Sequence, residues 1–161
     1  LKAYLNRHYG REEMTVPLSN DSRDPAYLLG RLFAWFEKAQ KEAIEGLNAS
    51  IADKYFNAAL AAPQTVFPTL AHLNSAHISK LVKKEAKLAK WLRRETREIM
   101  DLLDLQKDAQ GEYYAFPPSL DSNEQGKFIL GYYHQEQEIY RKKAPDAAAN
   151  EETEGGSEDE D

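Results

Sequence analysis

A bundle of about five α-helices, without a sheet, is the fold that this chain of 161 residues predicts. Three features carry the expectation of an all-α class. Apolar residues recur at spacings of three and four in five separate stretches, the period of an amphipathic helix. Gly, Pro and short polar runs separate those stretches, as in bundles with short connections. No stretch alternates apolar and polar residues like a half-buried strand, and no segment repeats another.

Residues 1–23 read as an irregular lead-in, broken by Gly10, Pro17 and the polar run Ser19-Asn20-Asp21-Ser22. Asp24-Pro25 begins the first helix. The Asp side chain can accept an orphan N–H, and Pro at the first helical position forfeits no needed hydrogen bond. Leu28, Leu32, Phe36, Ala39 and Ala43 follow at helical spacing, which places this helix at about 25–44, ahead of Gly46. A shorter helix from about Ala49 to Leu60 turns Ile51, Tyr55 and Phe56 inward. Pro63 starts a third, with the stripe Val66, Phe67, Leu70 and Leu73, and Pro68 fits it if it falls in the first turn. The longest helix is expected over about Ser75–Leu105, a stretch free of Gly and Pro and rich in strong helix formers. Gly111, Pro117 and Pro118 interrupt next. Ser122-Asn123-Glu124-Gln125 has capping-box spacing ahead of Phe128, Ile129, Tyr132 and Tyr133, in a helix expected to end near Lys143 before Pro145. The bundle therefore spans 24–143. The tail 144–161 is poor in apolar residues and is expected to be disordered.

Composition narrows the function classes. Hydrophobic residues make up 42% and charged residues 30%, which suits one domain with a modest core. Cysteine is absent, which excludes a disulfide framework, a Cys nucleophile and Cys-ligated zinc or iron–sulfur sites. No apolar run spans a bilayer and the first residues hold no signal-peptide core, so a cytoplasmic protein is expected. An opening Leu1 in place of Met suggests a processed product, a fragment or a start inside a longer reading frame. The net charge of −6 misleads, because eight of the 27 acids stand in the tail, which has no Lys or Arg. The other 19 face all 21 bases, so residues 1–143 carry a net +2.

That positive charge is unevenly spread. Between Ile78 and Arg97 stand eight bases and two acids, Glu85 and Glu95. Projected on the long helix, Leu81, Leu88, Leu92, Ile99 and Leu103 share one face, while Lys80, Lys83, Lys84, Lys87, Lys90, Arg94 and Arg97 fall opposite. The expectation is a straight cationic ridge advancing about 5 Å per step, comparable to phosphate spacing along an extended single strand. Such a ridge suits backbone contact without sequence reading. Trp91 beside it, and Tyr113 and Tyr114 after it, could stack on bases. The plainer alternative is a solubilising surface with Trp91 in the core. A membrane-surface helix is disfavoured, because the apolar face is needed to close the bundle.

Candidates for catalysis are weak. His72 and His77 stand about 140° apart on a helix and cannot share a metal, and His134, after Tyr132-Tyr133, is expected to make a structural hydrogen bond; His8 is read as a structural histidine too. Glu95, Glu98, Asp101 and Asp104 form an i, i+3 series that could hold Mg²⁺, but a solvated face is the simpler reading. No phosphate-binding glycine loop or nucleophile elbow is present. No catalytic residue, metal site or cofactor is expected. The acidic tail could mimic nucleic acid across the ridge, although a solubilising end explains it more simply.

Four ordered blocks carry a resemblance: Tyr27-Leu28-Leu29-Gly30-Arg31-Leu32-Phe33-Ala34 with Glu37 and Gln40, Asn48 through Phe56, Pro63-Gln64-Thr65-Val66-Phe67-Pro68, and Gly131-Tyr132-Tyr133-His134-Gln135. Over about residues 24–143 the chain resembles the C-terminal region of the large subunit of type I-C CRISPR Cascade. The resemblance implies a helical domain that is also made separately, by internal translation, as the small subunit. It implies partners as well: the backbone and large subunits of a crRNA-containing complex, more than one copy per complex, and the displaced single-stranded DNA. Recognition of the motif flanking the target, which the resemblance assigns to the large subunit's N-terminal part, is not expected of these residues. The alternative is a purely architectural subunit whose ridge packs on acidic protein surfaces.

Overall fold

In the computed structural model, which describes residues 18–149 other than 108, 111 and 112, three of the five helices begin at a side-chain cap. Asp24 accepts from the Ala26 and Tyr27 amides at 3.0 and 3.3 Å, Pro25 takes the first helical position, and α1 runs Pro25–Ala43. Gly46, left-handed at φ 66°, turns the chain away. Ser50 and Asp53 then close a capping box at the start of α2, Ile51–Ala61, slightly later than the expected Ala49. α3 spans Pro63–Lys84, α4 Ala86–Leu102 and α5 Ser122–Ala149. The cap of α5 is Asp121 rather than Ser122. Its amide donates to Glu124 Oε2 at 2.8 Å, and the Glu124 amide returns a bond to Asp121 Oδ1 at 2.9 Å.

The expected helix over Ser75–Leu105 does not form as one element. The helix begun at Pro63 continues through Ser75 to Lys84, and the break falls at Glu85, whose backbone is extended (φ −150°, ψ 83°). Local propensity offers no reason for a break there. Size does: an unbroken helix from Pro63 to Leu105 would be about 64 Å long, against about 28 Å for α1. Its second half would have nothing to bury Leu92 and Ile99 against. Breaking at one residue is inexpensive, because the Glu85 amide still donates to the Leu81 carbonyl at 2.7 Å and the Ala89 amide to the Glu85 carbonyl at 3.0 Å.

Three smaller expectations also shift. Pro68 lies in the second turn of α3, not the first, and forgoes the bond to the Gln64 carbonyl. α5 continues through Pro145 to Ala149 rather than ending near Lys143, in a run that includes Ala147-Ala148-Ala149, the strongest helix formers. The bundle also carries one antiparallel ladder, β1 (Gln106–Lys107) with β2 (Tyr113–Tyr114), Gln106 opposite Tyr114. Two-residue strands are too short to alternate visibly in sequence. Asp104 (φ 53°) and Ala115 (φ 71°), both left-handed without being glycine, flank the hairpin.

α1 is the central element. Leu28, Leu29, Leu32, Phe33 and Phe36 are buried all round it, as expected for a helix enclosed by others. Phe33 packs edge-on against Phe56, Phe67, Phe128 and Tyr132 at 5.6–6.4 Å, joining α1, α2, α3 and α5. α5 lies parallel to α1, with Lys127 on Asp24 at 2.7 Å, Arg31 Nε donating to Gln135 Oε1 at 2.9 Å, and the Tyr132 hydroxyl donating to Glu37 Oε2 at 2.6 Å. Lys41 completes Glu37 at 2.9 Å. Among the described residues no helix is long and apolar enough to cross a membrane.

His134, half-buried, makes the structural hydrogen bond expected of it. Tyr27 accepts the Ser19 amide at 3.1 Å, and its hydroxyl is hydrogen-bonded to His134 Nδ1 at 2.8 Å. Burial holds the pKa of His134 below its usual 6.5, and burial followed by Lys80 does the same for His77. A depressed pKa means that the unfolded chain binds more protons as the pH falls below about 6.5. Stability is expected to be full above that point and to decline towards the lower folded pKa values. Thermal melts at pH 7.5 and pH 5 check this, and His134→Gln is expected to remove part of the decline.

Candidate nucleic-acid interface

The break at Glu85 decides how the cationic residues are presented. Phe67 on α3 meets Phe33 and Phe36 at 6.4 Å, and Lys84 at the other end of α3 pairs with Glu45, just past α1. α3 therefore runs in the direction of α1. After Glu85, Trp91 meets Trp35 at 5.0 Å, and Glu95 and Glu98 act electrostatically on Arg31. α4 therefore runs back against α1. The expected straight ridge is replaced by two arms that meet at an apex, Glu85.

All seven expected residues are exposed. Lys80, Lys83 and Lys84 close the first arm, and Lys87, Lys90, Arg94 and Arg97 stand on the second. Arg93 is exposed as well. The sequence projection left it out of the face, since it falls towards the side of Thr96 on α4. Trp91 is half-buried with its ring set edge-on to the buried Trp35, so it is part core and part surface. Tyr113 and Tyr114 form β2, and their side chains lie outside the described residues.

Electrostatics separate these cations into two kinds. Lys84 is paired with Glu45, and Arg94 with Glu95 at 2.8 Å and Glu98 at 3.9 Å. The hydrogen bond to Glu95 raises the pKa of Arg94. Among the described residues, Lys80, Lys83, Lys87, Lys90, Arg93 and Arg97 have no ion pair.

The order of charge along α4 opposes its own dipole. Helix N-termini favour acids and C-termini favour bases. Lys83 and Lys84 obey this at the end of α3, but the first turn of α4 contains no acid and its last turn no base. Lys87 stands in the first turn, where positive charge is disfavoured, and Asp101 in the last, where negative charge is, although Glu85 at the N-cap is placed with the dipole. A local rule broken without local gain points to a binding surface.

Three of the candidates for chemistry have other engagements. Glu95 and Glu98 hold Arg94, and Asp104 lies past the end of α4 in a left-handed turn. His134 is tied to Tyr27, and His8 lies outside the described residues. Among the described residues no three His, Asp or Glu side chains form a group able to hold a metal ion. What the two arms offer is eight exposed cations, suited to a polyanion's backbone.

Comparison with known proteins gives a family. The model of the family described as CRISPR-associated protein (Cas_Csd1) matches residues 1–140. A search of curated proteins found no match.

Proposed function

We propose a function from one premise: the chain belongs to the CRISPR-associated Cas_Csd1 family, and so is a CRISPR Cascade component. In this reading it is the non-catalytic small subunit of a cytoplasmic type I-C surveillance complex, equivalent to the large subunit's C-terminal helical domain. Its α3–α4 apex holds the backbone of the displaced DNA strand and the heteroduplex, which stabilises the R-loop. Its other faces seat on the backbone and large subunits around the crRNA, in more than one copy.

The observation that carries this reading is the pair of exposed cationic arms, six of whose eight cations have no carboxylate partner among the described residues. Guide–target pairing reads sequence in RNA-guided recognition, as in the single-protein effectors, so the protein needs only charge and shape. Exchanging duplex for heteroduplex is nearly balanced there, and backbone contacts tip it.

Photo-crosslinkers placed at Lys87 and at Lys54, on the exposed side of α2, test the assignment in the assembled complex. Adducts with the displaced strand are expected at Lys87 and not at Lys54. Adducts from Lys87 to protein alone would sink it in favour of the architectural alternative.

A further inference from the structure

The two poles of the bundle are not equivalent. Residues Glu136, Ile139 and Tyr140 of α5 line one small groove with Glu37, Lys38 and Lys41, near the end of α1. Glu45, immediately past that same end, pairs with Lys84 at the apex. α5 thus passes the pole where the cationic apex sits, and it continues nine residues beyond Tyr140 to Ala149, about 13 Å further. Residues 150–161 follow, outside the described residues.

Those twelve residues contain seven acids and no base. They fall into two clusters, Glu151, Glu152 and Glu154, then Glu158-Asp159-Glu160-Asp161, joined by Gly155-Gly156-Ser157. Fully extended they reach about 40 Å, enough to pass around α1 to either arm. The family match ends at residue 140 and so assigns this segment nothing.

We propose that the acidic segment Glu151–Asp161 occupies the cationic α3–α4 apex in the free chain, as an intramolecular stand-in for a nucleic-acid backbone. The inference rests on the reading that this apex takes nucleic acid. Charge complementarity and a short tether make the contact. A linked ligand acts at an effective concentration in the millimolar range, so exposed charge pairs too weak to hold separate molecules suffice. A polyanion with many phosphates displaces the segment. The contact therefore suppresses adventitious binding while leaving binding in an assembled complex possible. It is also sensitive to salt, since the Debye length is about 10 Å at 0.1 M.

Two measurements on the full-length chain test it. Because the chain has no cysteine, Ser157→Cys gives one site for a paramagnetic label. At about 20 mM salt the label is expected to broaden the amide resonances of residues 80–97, and 1 M salt or excess single-stranded oligodeoxythymidine is expected to restore them. Absence of broadening at low salt overturns the proposal. In the second measurement the seven acids are neutralised (Glu→Gln, Asp→Asn), and affinity for a 20-nucleotide oligodeoxythymidine is expected to rise about tenfold. An unchanged affinity also overturns it. If Lys83→Glu, Lys87→Glu and Lys90→Glu together remove the broadening but leave oligodeoxythymidine binding intact, the tail contact stands and the nucleic-acid reading of the apex fails instead.

Discussion

Replacing Gly131 with Ala is expected to cost about 3 kcal/mol of folding stability and to lower the melting temperature by about 10 °C. In the helix interior Ala is normally the better residue by about 1 kcal/mol. The expected sign therefore rests on the α1–α5 crossing. A Cβ at Gly131 would fall on the Tyr27 carbonyl oxygen and stand 3.1 Å from the Tyr27 Cα. A Cβ at Gly30 would fall on the Phe128 carbonyl and stand 2.8 Å from the Tyr132 amide. The obstacles are backbone atoms, which cannot rotate away, so the helices must separate. Separation would loosen the Tyr27–His134, Arg31–Gln135 and Glu37–Tyr132 bonds together. Gly126 is the internal control, because it lies on the same helix with nothing within 4 Å of an added Cβ. Gly126→Ala is expected to raise stability by up to about 1 kcal/mol. One opening of the crossing relieves both clashes, so Gly30→Ala with Gly131→Ala is expected to cost less than the sum of the two. Equal melting temperatures for Gly131→Ala and Gly126→Ala would show that the helices do not meet at these glycines.

The sequence reveals elements better than it reveals their relations. Asp24-Pro25 announces α1 because cap and first residue are local chemistry, and the structure places both as read. Gly30 and Gly131 stand in two of the resemblance blocks, but nothing near either says that the other is its neighbour. Their role exists only in the crossing. Glu85 is the opposite case. Lys83-Lys84-Glu85-Ala86-Lys87 favours helix at every position, and the break there comes from the length of α1, a tertiary limit that no local window contains. The cations were legible by composition and spacing, and all seven are exposed. Their line was not, since a straight projection assumes the unbroken helix that Glu85 interrupts. Arg93 was left out for a different reason: on α4 it falls towards the side of the buried Thr96, away from the projected face, yet it is exposed.

Reversing Lys83, Lys87, Lys90 and Arg94 to Glu is expected to weaken the hold on single-stranded DNA on the order of 10²–10³-fold at about 0.1 M salt, and to reduce the salt slope by about 3. The figure follows from roughly 0.7 released counterions per phosphate contact on a single strand. What makes the experiment decisive is the expected stability of the same variant. All four side chains are exposed, so no core contact is lost. Lys87 stands at the positive end of the α4 dipole, and an acid there is worth about 0.3–1 kcal/mol. Two terms act against this. Lys83 leaves the favourable end of α3, and Arg94 surrenders its bonds to Glu95 and Glu98, exposed pairs worth about 0–1 kcal/mol. The melting temperature is therefore expected to stay level or rise while R-loop lifetime in the assembled complex collapses. A protein that keeps charges which its own helix disfavours keeps them for a partner. Unchanged R-loop lifetime and salt slope in this variant, with the fold intact, would mean that the partner at the apex is not a polynucleotide.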